Sequence, residues 1–247
     1  MEEYYMGNWF YRFKFKYQRY AINNLAAYAS ICFALGYMMI STSFGGAFYF
    51  NRLAFTPAEV LHGQVWRIFT AILFPPSLGS LFSAVIGILI YYSFASSVES
   101  MMGEFEYNIY FFGSIFIGEI GTLIYYLITG VNAPFLPLYT HFAVFMALAI
   151  MYADATVLLF FILPVKIKYI ALVEVLMYVW SFIFGNSFSY AYGLLYTRIS
   201  IVAAFIPVII FYCLTSSRNG GTGNIFKDIK RSMDQRKRRR EWQNQWK

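Results

Sequence analysis

The chain has 247 residues, of which 60% are hydrophobic, 22% are aromatic and only 13% are charged. A water-soluble fold of this size cannot bury so much apolar surface, so the composition excludes soluble, disordered, collagen-like and disulfide-rich secreted proteins. The net charge of +7 fits contact with nucleic acid or with anionic lipid, and the position of the charges has to decide. Cys32 and Cys213 lie inside apolar runs, and we expect neither a metal site nor a cofactor.

Six apolar segments are predicted to cross a membrane, because a hydrocarbon core of about 30 Å needs roughly 20 helical residues. The predicted spans are Asn24–Ser43, Leu78–Ser97, Tyr107–Thr129, Tyr139–Ala155, Ile167–Phe184 and Leu194–Leu214. The fourth is the shortest, and the apolar stretch Val157–Val165 that follows it is expected to form a loop at the membrane surface, since Pro164 interrupts it. The sequence therefore predicts an all-α membrane protein built as a six-helix bundle.

Lysine and arginine positions predict the orientation, because basic loops stay on the cytoplasmic side of a membrane. Lys166 and Lys168 separate the fourth span from the fifth, and Arg218 begins a strongly basic tail. Only Arg52 and Arg67 fall in a loop that would lie outside, so both termini are predicted to be cytoplasmic. The expected organisation is an interfacial N-terminal segment (residues 1–20), a membrane domain (21–216) and a basic cytoplasmic tail (217–247).

Two motifs in the connections between the first three spans are similar to those of a known family. Trp66 and Arg67 are adjacent in the long outer loop after the first span, and Glu99 and Gly103 lie in the turn after the second. The chain resembles the rhomboid family of intramembrane serine proteases, whose first outer loop carries a Trp-Arg pair and whose second span ends in Leu-Glu-x-x-Trp-Gly. Met102 departs from the usual Trp. Glu99 is expected to cap and orient this turn.

The resemblance implies a Gly-x-Ser-Gly serine at the start of the fourth span and a histidine on the sixth, and the chain has neither. Thr140 stands near the serine position and is followed by His141, whereas Arg198 stands where the histidine is expected and cannot accept a proton at neutral pH. Ser83 and Gly87 occupy the places of the oxyanion-stabilising His and Asn. Successive helical residues point about 100° apart, so Thr140 and His141 make a poor nucleophile and base, and we expect no catalytic residue.

Three ionisable residues, Glu119, Glu174 and Arg198, are expected within the hydrocarbon, where such groups normally pair or line a polar cavity. Their estimated depths favour an ion pair between Glu119 and Arg198 that bridges the third and sixth spans. The pair would be either structural or part of a polar groove that receives a client helix. Two roles are also open for Trp66 and Arg67. They form either an edge that bends the membrane or contacts substrate, or a simple anchor of the loop at the membrane surface.

The sequence thus favours a catalytically inactive rhomboid-like integral membrane protein that binds transmembrane or membrane-protein partners, similar in logic to the derlins and other rhomboid pseudoproteases. An active intramembrane protease with an unconventional site around Thr140 and His141 is one alternative. A small transporter or channel that uses Glu119, Glu174 and Arg198 is another. The resemblance to rhomboid-like proteins of Gram-positive bacteria favours the bacterial plasma membrane.

The tail from Asn224 to Lys247 contains the basic run Arg236-Lys237-Arg238-Arg239-Arg240. Each basic residue near anionic lipid contributes about 1 kcal/mol, so the tail is expected to bind anionic headgroups of the inner leaflet. Contact with RNA or the ribosome is the less favoured alternative.

Overall fold

The computed structural model describes residues 16–159 and 163–217, most of which are helical. The helices are α1 (Leu25–Ile40), α2 (Ser43–Phe48), α3 (Pro57–Leu61), α4 (Arg67–Thr70), α5 (Leu81–Met102), α6 (Glu104–Thr129), α7 (Leu138–Met151), α8 (Ile167–Phe184), α9 (Ser187–Tyr192) and α10 (Leu194–Ser217). Strands β1 (Thr156–Leu159) and β2 (Leu163–Lys166) lie between α7 and α8. The expectations for the basic tail and for most of the N-terminal segment fall outside the described residues.

Five described helices are long and apolar enough to cross a membrane, as is typical of an integral membrane protein. They are Gln18–Ile40, Leu81–Met102, Glu104–Thr129, Ile167–Tyr192 and Leu194–Cys213. These helices correspond to the first, second, third, fifth and sixth predicted spans. The last continues as α10 to Ser217, and contacts divide the chain within it, so that Ile209 to Ser217 are the described part of a second unit.

Helix α7, at the place of the fourth predicted span, is shorter than expected. Its 14 residues extend about 21 Å at 1.5 Å per residue, which is less than the hydrocarbon thickness of about 30 Å. It packs against α5, α6 and α8, and Ala143 and Ala147 are fully buried, because small side chains let helices approach closely. The Tyr110 hydroxyl of α6 donates to the Ala143 carbonyl at 2.5 Å. Helix α7 is therefore an enclosed core helix.

The segment after α7 contains two paired strands where a loop was predicted, so that prediction is wrong about secondary structure, and its position at the membrane surface stays a prediction. Strands β1 and β2 pair antiparallel, with Thr156 opposite Lys166 and Leu159 opposite Leu163. Pro164 is tolerated because a two-stranded ribbon consists of edge strands, in which a missing N–H need not break a ladder hydrogen bond. The described fold is consequently mainly, but not wholly, helical.

Glu99, near the end of α5, holds the start of α1. Its Oε1 accepts a hydrogen bond from the Leu25 N–H at 2.7 Å, and its Oε2 accepts one from the Ala26 N–H at 3.1 Å. The carboxylate is buried, with 7% exposure, and it satisfies N–H groups that have no partner within the first turn of a helix. The expectation that Glu99 caps the turn between the second and third spans is therefore wrong, because its acceptors are used by a helix distant in sequence.

The turn between α5 and α6 is formed by the backbone of Gly103. Its φ of 95° is one that L side chains rarely adopt, and its N–H donates to the Glu99 carbonyl. Asn108, on the next helix, accepts from the Ile22 N–H at 3.1 Å and donates to the Ile22 carbonyl at 3.0 Å. Asn108 and Glu99 together attach the beginning of α1 to the turn region.

Replacing Glu99 by alanine should lower the free energy of unfolding by about 1–3 kcal/mol, because two buried N–H groups lose their acceptor. Glu104→Ala is the matched control: its side chain is exposed, and loss of one charge at a helix start costs less than about 1 kcal/mol. Unfolding of the purified full-length protein in detergent measures both changes. Equal losses in the two variants would contradict the assignment of Glu99.

Candidate functional site

Arg67 is the centre of the connection between α1 and α5. It is only 1% exposed, and its Nη1, Nη2 and Nε donate to the Ala54 carbonyl at 2.6 Å, the Asn51 carbonyl at 2.5 Å and the Gln64 Oε1 at 2.9 Å. Burial lowers the pKa of the guanidinium from its usual value, and the nearby Glu59 carboxylate opposes this shift. The planar fork of arginine can bind three oxygens at once, so Arg67 holds the connection in its folded form.

The outer side of the same connection is apolar. Trp66 is 48% exposed, and its Nε1 donates to the Arg52 carbonyl at 3.1 Å. Phe69 is 77% exposed, and Leu61 and Val65 are also exposed. Indole rings that combine apolar and polar atoms favour the membrane–water interface. This apolar rim, formed by Leu61, Val65, Trp66 and Phe69, is suited to contact lipid or another membrane protein.

The inner side of the connection covers the start of α7. Tyr49, Ala54 and Phe74 form a buried cluster with Leu136, which lies just before α7. The Phe135 N–H donates to the carbonyl of Phe55 at 2.8 Å. The connection is thus attached to the segment that leads into α7.

Arg67→Ala should lower the free energy of unfolding by about 2–4 kcal/mol, because buried backbone carbonyls lose a charged donor. Arg52→Ala is the control within the same connection, since the Arg52 side chain is exposed and only its backbone carbonyl bonds to Trp66. Thermal unfolding and limited proteolysis of the connection measure the difference. If both variants resist protease like the parent, the role assigned to Arg67 is wrong.

His141, in the first turns of α7, is enclosed by aromatic rings. Its imidazole lies 4.8 Å from the Phe33 ring and 5.2 Å from the Tyr91 ring, both edge to face. The two ring nitrogens are buried without a hydrogen-bond partner, although the backbone of Phe74 lies beside them. The imidazole therefore packs mainly as an aromatic ring.

The hydroxyl groups of Tyr91 and Ser83 each lie beside another hydroxyl rather than the His141 imidazole. The Tyr91 hydroxyl oxygen lies 3.5 Å from that of Tyr107, and the Ser83 Oγ lies 3.0 Å from the Ser77 Oγ. Within the described side chains, no hydroxyl is hydrogen-bonded to the His141 imidazole. The Thr140 side chain lies outside the described set.

His62 and Gly87, two other positions singled out in the sequence, do not form a site with His141. The second imidazole, that of His62, is exposed in the first connection, with Nδ1 2.6 Å from the Ala58 carbonyl. At Gly87, an added Cβ would lie 3.4 Å from the Ser77 Cβ, which is an ordinary van der Waals contact, so a small side chain would fit at this position. The structure places neither residue in contact with His141 through a described hydrogen bond.

Sequence reasoning did not single out Phe33 or Tyr91 as partners of His141. In a chain with 22% aromatic residues, a further Phe or Tyr carries no signal by itself. The only signal in the sequence was His141 itself, because a histidine is uncommon in an apolar run. It indicates the position of the cluster but not which rings surround it.

The predicted ion pair between Glu119 and Arg198 does not form. The Arg198 Nε donates to the Phe182 carbonyl at 3.1 Å, and its guanidinium lies over the Phe182 ring. Glu119 is 2% exposed, and its Oε1 has no hydrogen-bond partner. The prediction is wrong because Ile199 packs beside Gly121 of α6, which turns the preceding residue about 100° away from that helix.

Glu174 lies near the middle of α8 and is partly buried. One turn later, the Tyr178 ring packs 4.4 Å from the Phe142 ring of α7. No ion pair between described residues involves Glu174. In the described ranges no three His, Cys, Asp or Glu side chains are grouped to hold a metal ion. Among the described residues, Glu119, Glu174 and Arg198 thus form no common cluster of ion pairs.

The packing role of His141 predicts different effects for two substitutions. His141→Phe should change the free energy of unfolding by less than about 1.5 kcal/mol, because the ring contacts remain and no described hydrogen bond is lost. His141→Ala should lower it by about 2–4 kcal/mol through the cavity that it leaves. Unfolding of both variants in detergent measures the contrast. A phenylalanine variant as unstable as the alanine variant would show that the ring nitrogens contribute to stability.

No protein-family model, no curated protein and no solved structure matches the chain. The function is therefore inferred from the motifs and from the geometry around α7 and the connection between α1 and α5.

Proposed function

We propose that this chain is a catalytically inactive rhomboid-like membrane protein that binds transmembrane segments or membrane-protein partners without cutting them. In this proposal the five helices of spanning length and α7 form six crossings, and both termini are cytoplasmic. The distribution of basic residues supports this orientation, with Lys166 and Lys168 between α7 and α8. The bacterial plasma membrane is the proposed location, and anionic headgroups are the proposed partners of the basic tail.

The enclosure of His141 carries the proposal. A serine or threonine becomes a useful nucleophile when a neighbouring base accepts its proton, so the base must lie within hydrogen-bonding distance. His141 instead packs against Phe33 and Tyr91, and its ring nitrogens have no described hydroxyl partner. Arg198, at the place of the family's second catalytic residue, is exposed and bonds to a backbone carbonyl. These contacts favour a binding role over bond cleavage.

Apolar surfaces that remain exposed support binding within the membrane. Only Ile167 and Ala171 of α8 are buried, whereas most of the other large apolar side chains of the helix are exposed. In a bilayer, such surfaces contact lipid tails or the helices of other proteins, and close packing can favour the latter. The motif residues Arg67 and Glu99 stabilise the fold from within. The exposed apolar surfaces of α8 therefore remain available to a partner.

The proposal predicts association without cleavage. Purified full-length protein should bind labelled single-span peptides in liposomes in a saturable manner, measured by energy transfer, and mass spectrometry should detect only intact peptide. Thr140→Ala and His141→Phe are expected to leave association unchanged. Peptide fragments that appear with the parent and disappear in either variant would establish proteolysis instead. Absence of saturable association would contradict the binding role.

A transporter or channel is the second candidate, because Glu119 places a carboxyl oxygen without a described partner in the middle of α6. Buried acidic groups of this kind commonly mark ion or proton pathways in membranes. Flux through protein-containing liposomes, measured with a pH-sensitive dye, tests this candidate. Flux that Glu119→Gln abolishes would favour transport over client binding.

A further inference from the structure

Arg198 carries a guanidinium that the described part of the protein satisfies only in part. Its Nε donates to the Phe182 carbonyl at 3.1 Å, and its Cζ lies 5.5 Å from the centroid of the Phe182 ring. A guanidinium has five N–H donors, and four of them belong to Nη1 and Nη2. Within the described ranges neither Nη atom donates to a protein oxygen, and no carboxylate forms an ion pair with Arg198.

The neighbours of Arg198 in α10 explain why the guanidinium lies at the surface of the protein. Thr197 is fully buried, and its Oγ1 donates to the Asn186 Oδ1 at 3.2 Å. Ile199 packs beside Gly121 of α6. Because both neighbours contact protein, the residue between them is left exposed. The carbonyl and the ring of Phe182 hold the guanidinium on this surface, so it is positioned for a further ligand.

Arg198 lies close to the end of a membrane span. It follows the start of α10 at Leu194 by four residues, or about 6 Å, and Phe182 precedes the end of α8 by two residues, or about 3 Å. The Trp180 and Phe184 rings, 63% and 65% exposed, pack 4.3 Å apart at the same end of α8. Tryptophan favours the membrane–water interface. A long arginine side chain at this level can extend to the lipid headgroups.

The free donors of Arg198 need an anion, because an arginine exposed to hydrocarbon without a partner is costly. The connections at this end of the spans do not supply one: residues 130–138 and 185–193 contain no Asp or Glu. Glu59, in the connection between α1 and α5, already accepts from the Gln64 Nε2 at 2.7 Å. Two oxygens of a phosphate group match the planar fork of a guanidinium.

We propose that Arg198 binds the phosphate of a lipid headgroup in the leaflet where α8 ends and α10 begins. The Nη groups donate to the phosphate oxygens, while Nε keeps its bond to Phe182. Lipid is the favoured source of the anion because phosphates surround the protein at this level, whereas a client helix would have to place a carboxylate at the matching depth. The inference rests on the membrane placement of α8 and α10 and is independent of client binding and proteolysis.

Nitrogen–phosphorus dipolar coupling, measured by solid-state NMR, tests this contact directly. Full-length protein with isotopically labelled arginine nitrogens is reconstituted in phosphatidylcholine–phosphatidylglycerol liposomes in phosphate-free buffer. The Arg198 signals are assigned by their loss in Arg198→Lys and, independently, in Arg198→Gln. Arg67 is the internal reference, because it is buried and its Nε, Nη1 and Nη2 all donate to protein oxygens. Its signals are assigned in the same way with Arg67→Lys.

A second sample in maltoside micelles, which contain no phosphorus, receives inorganic phosphate and separates a lipid site from a general anion site. A third, in liposomes, contains a single-span peptide with isotopically labelled acidic carboxyl carbons.

The Nη signals of Arg198 should lose severalfold more intensity to phosphorus dephasing in liposomes than those of Arg67. Dephasing of Arg198 no stronger than that of Arg67 would overturn the proposal. Equal dephasing of Arg198 by inorganic phosphate in micelles would show that the site does not require lipid and would also overturn it. Coupling of Arg198 to the peptide carboxyl carbons in place of phosphorus would assign the site to a client helix instead.

Discussion

Helix α7 is shorter than the thickness of a hydrocarbon core, and this constraint organises the residues around it. At about 21 Å, its ends would leave backbone groups unsatisfied in lipid unless other parts of the protein enclosed them. Helices α5, α6 and α8 pack around it, and the first connection is attached to the segment before it. The His141 ring, in the first turns of α7, therefore packs inside the protein against Phe33 and Tyr91.

Arg67 and Glu99, the two charged residues of the sequence motifs, stabilise this arrangement directly. Arg67 binds backbone carbonyls of the connection that covers α7, and Glu99 binds backbone N–H groups that begin α1. Each is buried because it satisfies backbone groups that no regular hydrogen-bond pattern would satisfy. Both residues therefore have a structural use that is independent of bond cleavage.

Hydropathy was sufficient to predict five long apolar helices, because the length of such a run reflects the membrane directly. It was insufficient at α7 and the ribbon, since an apolar run from Tyr139 to Val165 does not reveal where helix gives way to strand. The predicted ion pair of Glu119 with Arg198 was wrong because residue counting estimates how deep a residue lies in the membrane but not how its helix is rotated. The partners of Glu99 and His141 depend on tertiary contacts between distant segments, for which one sequence gives no signal.

The central proposal is that His141 does not activate a hydroxyl as a nucleophile, and a fluorophosphonate probe tests this most directly. Such probes form covalent adducts with serine or threonine hydroxyls whose proton a neighbouring base accepts. The full-length protein in liposomes should give no adduct by mass spectrometry, at Thr140 or elsewhere, under conditions in which an active serine protease is fully labelled. An adduct at Thr140 that is lost in His141→Phe would contradict the account.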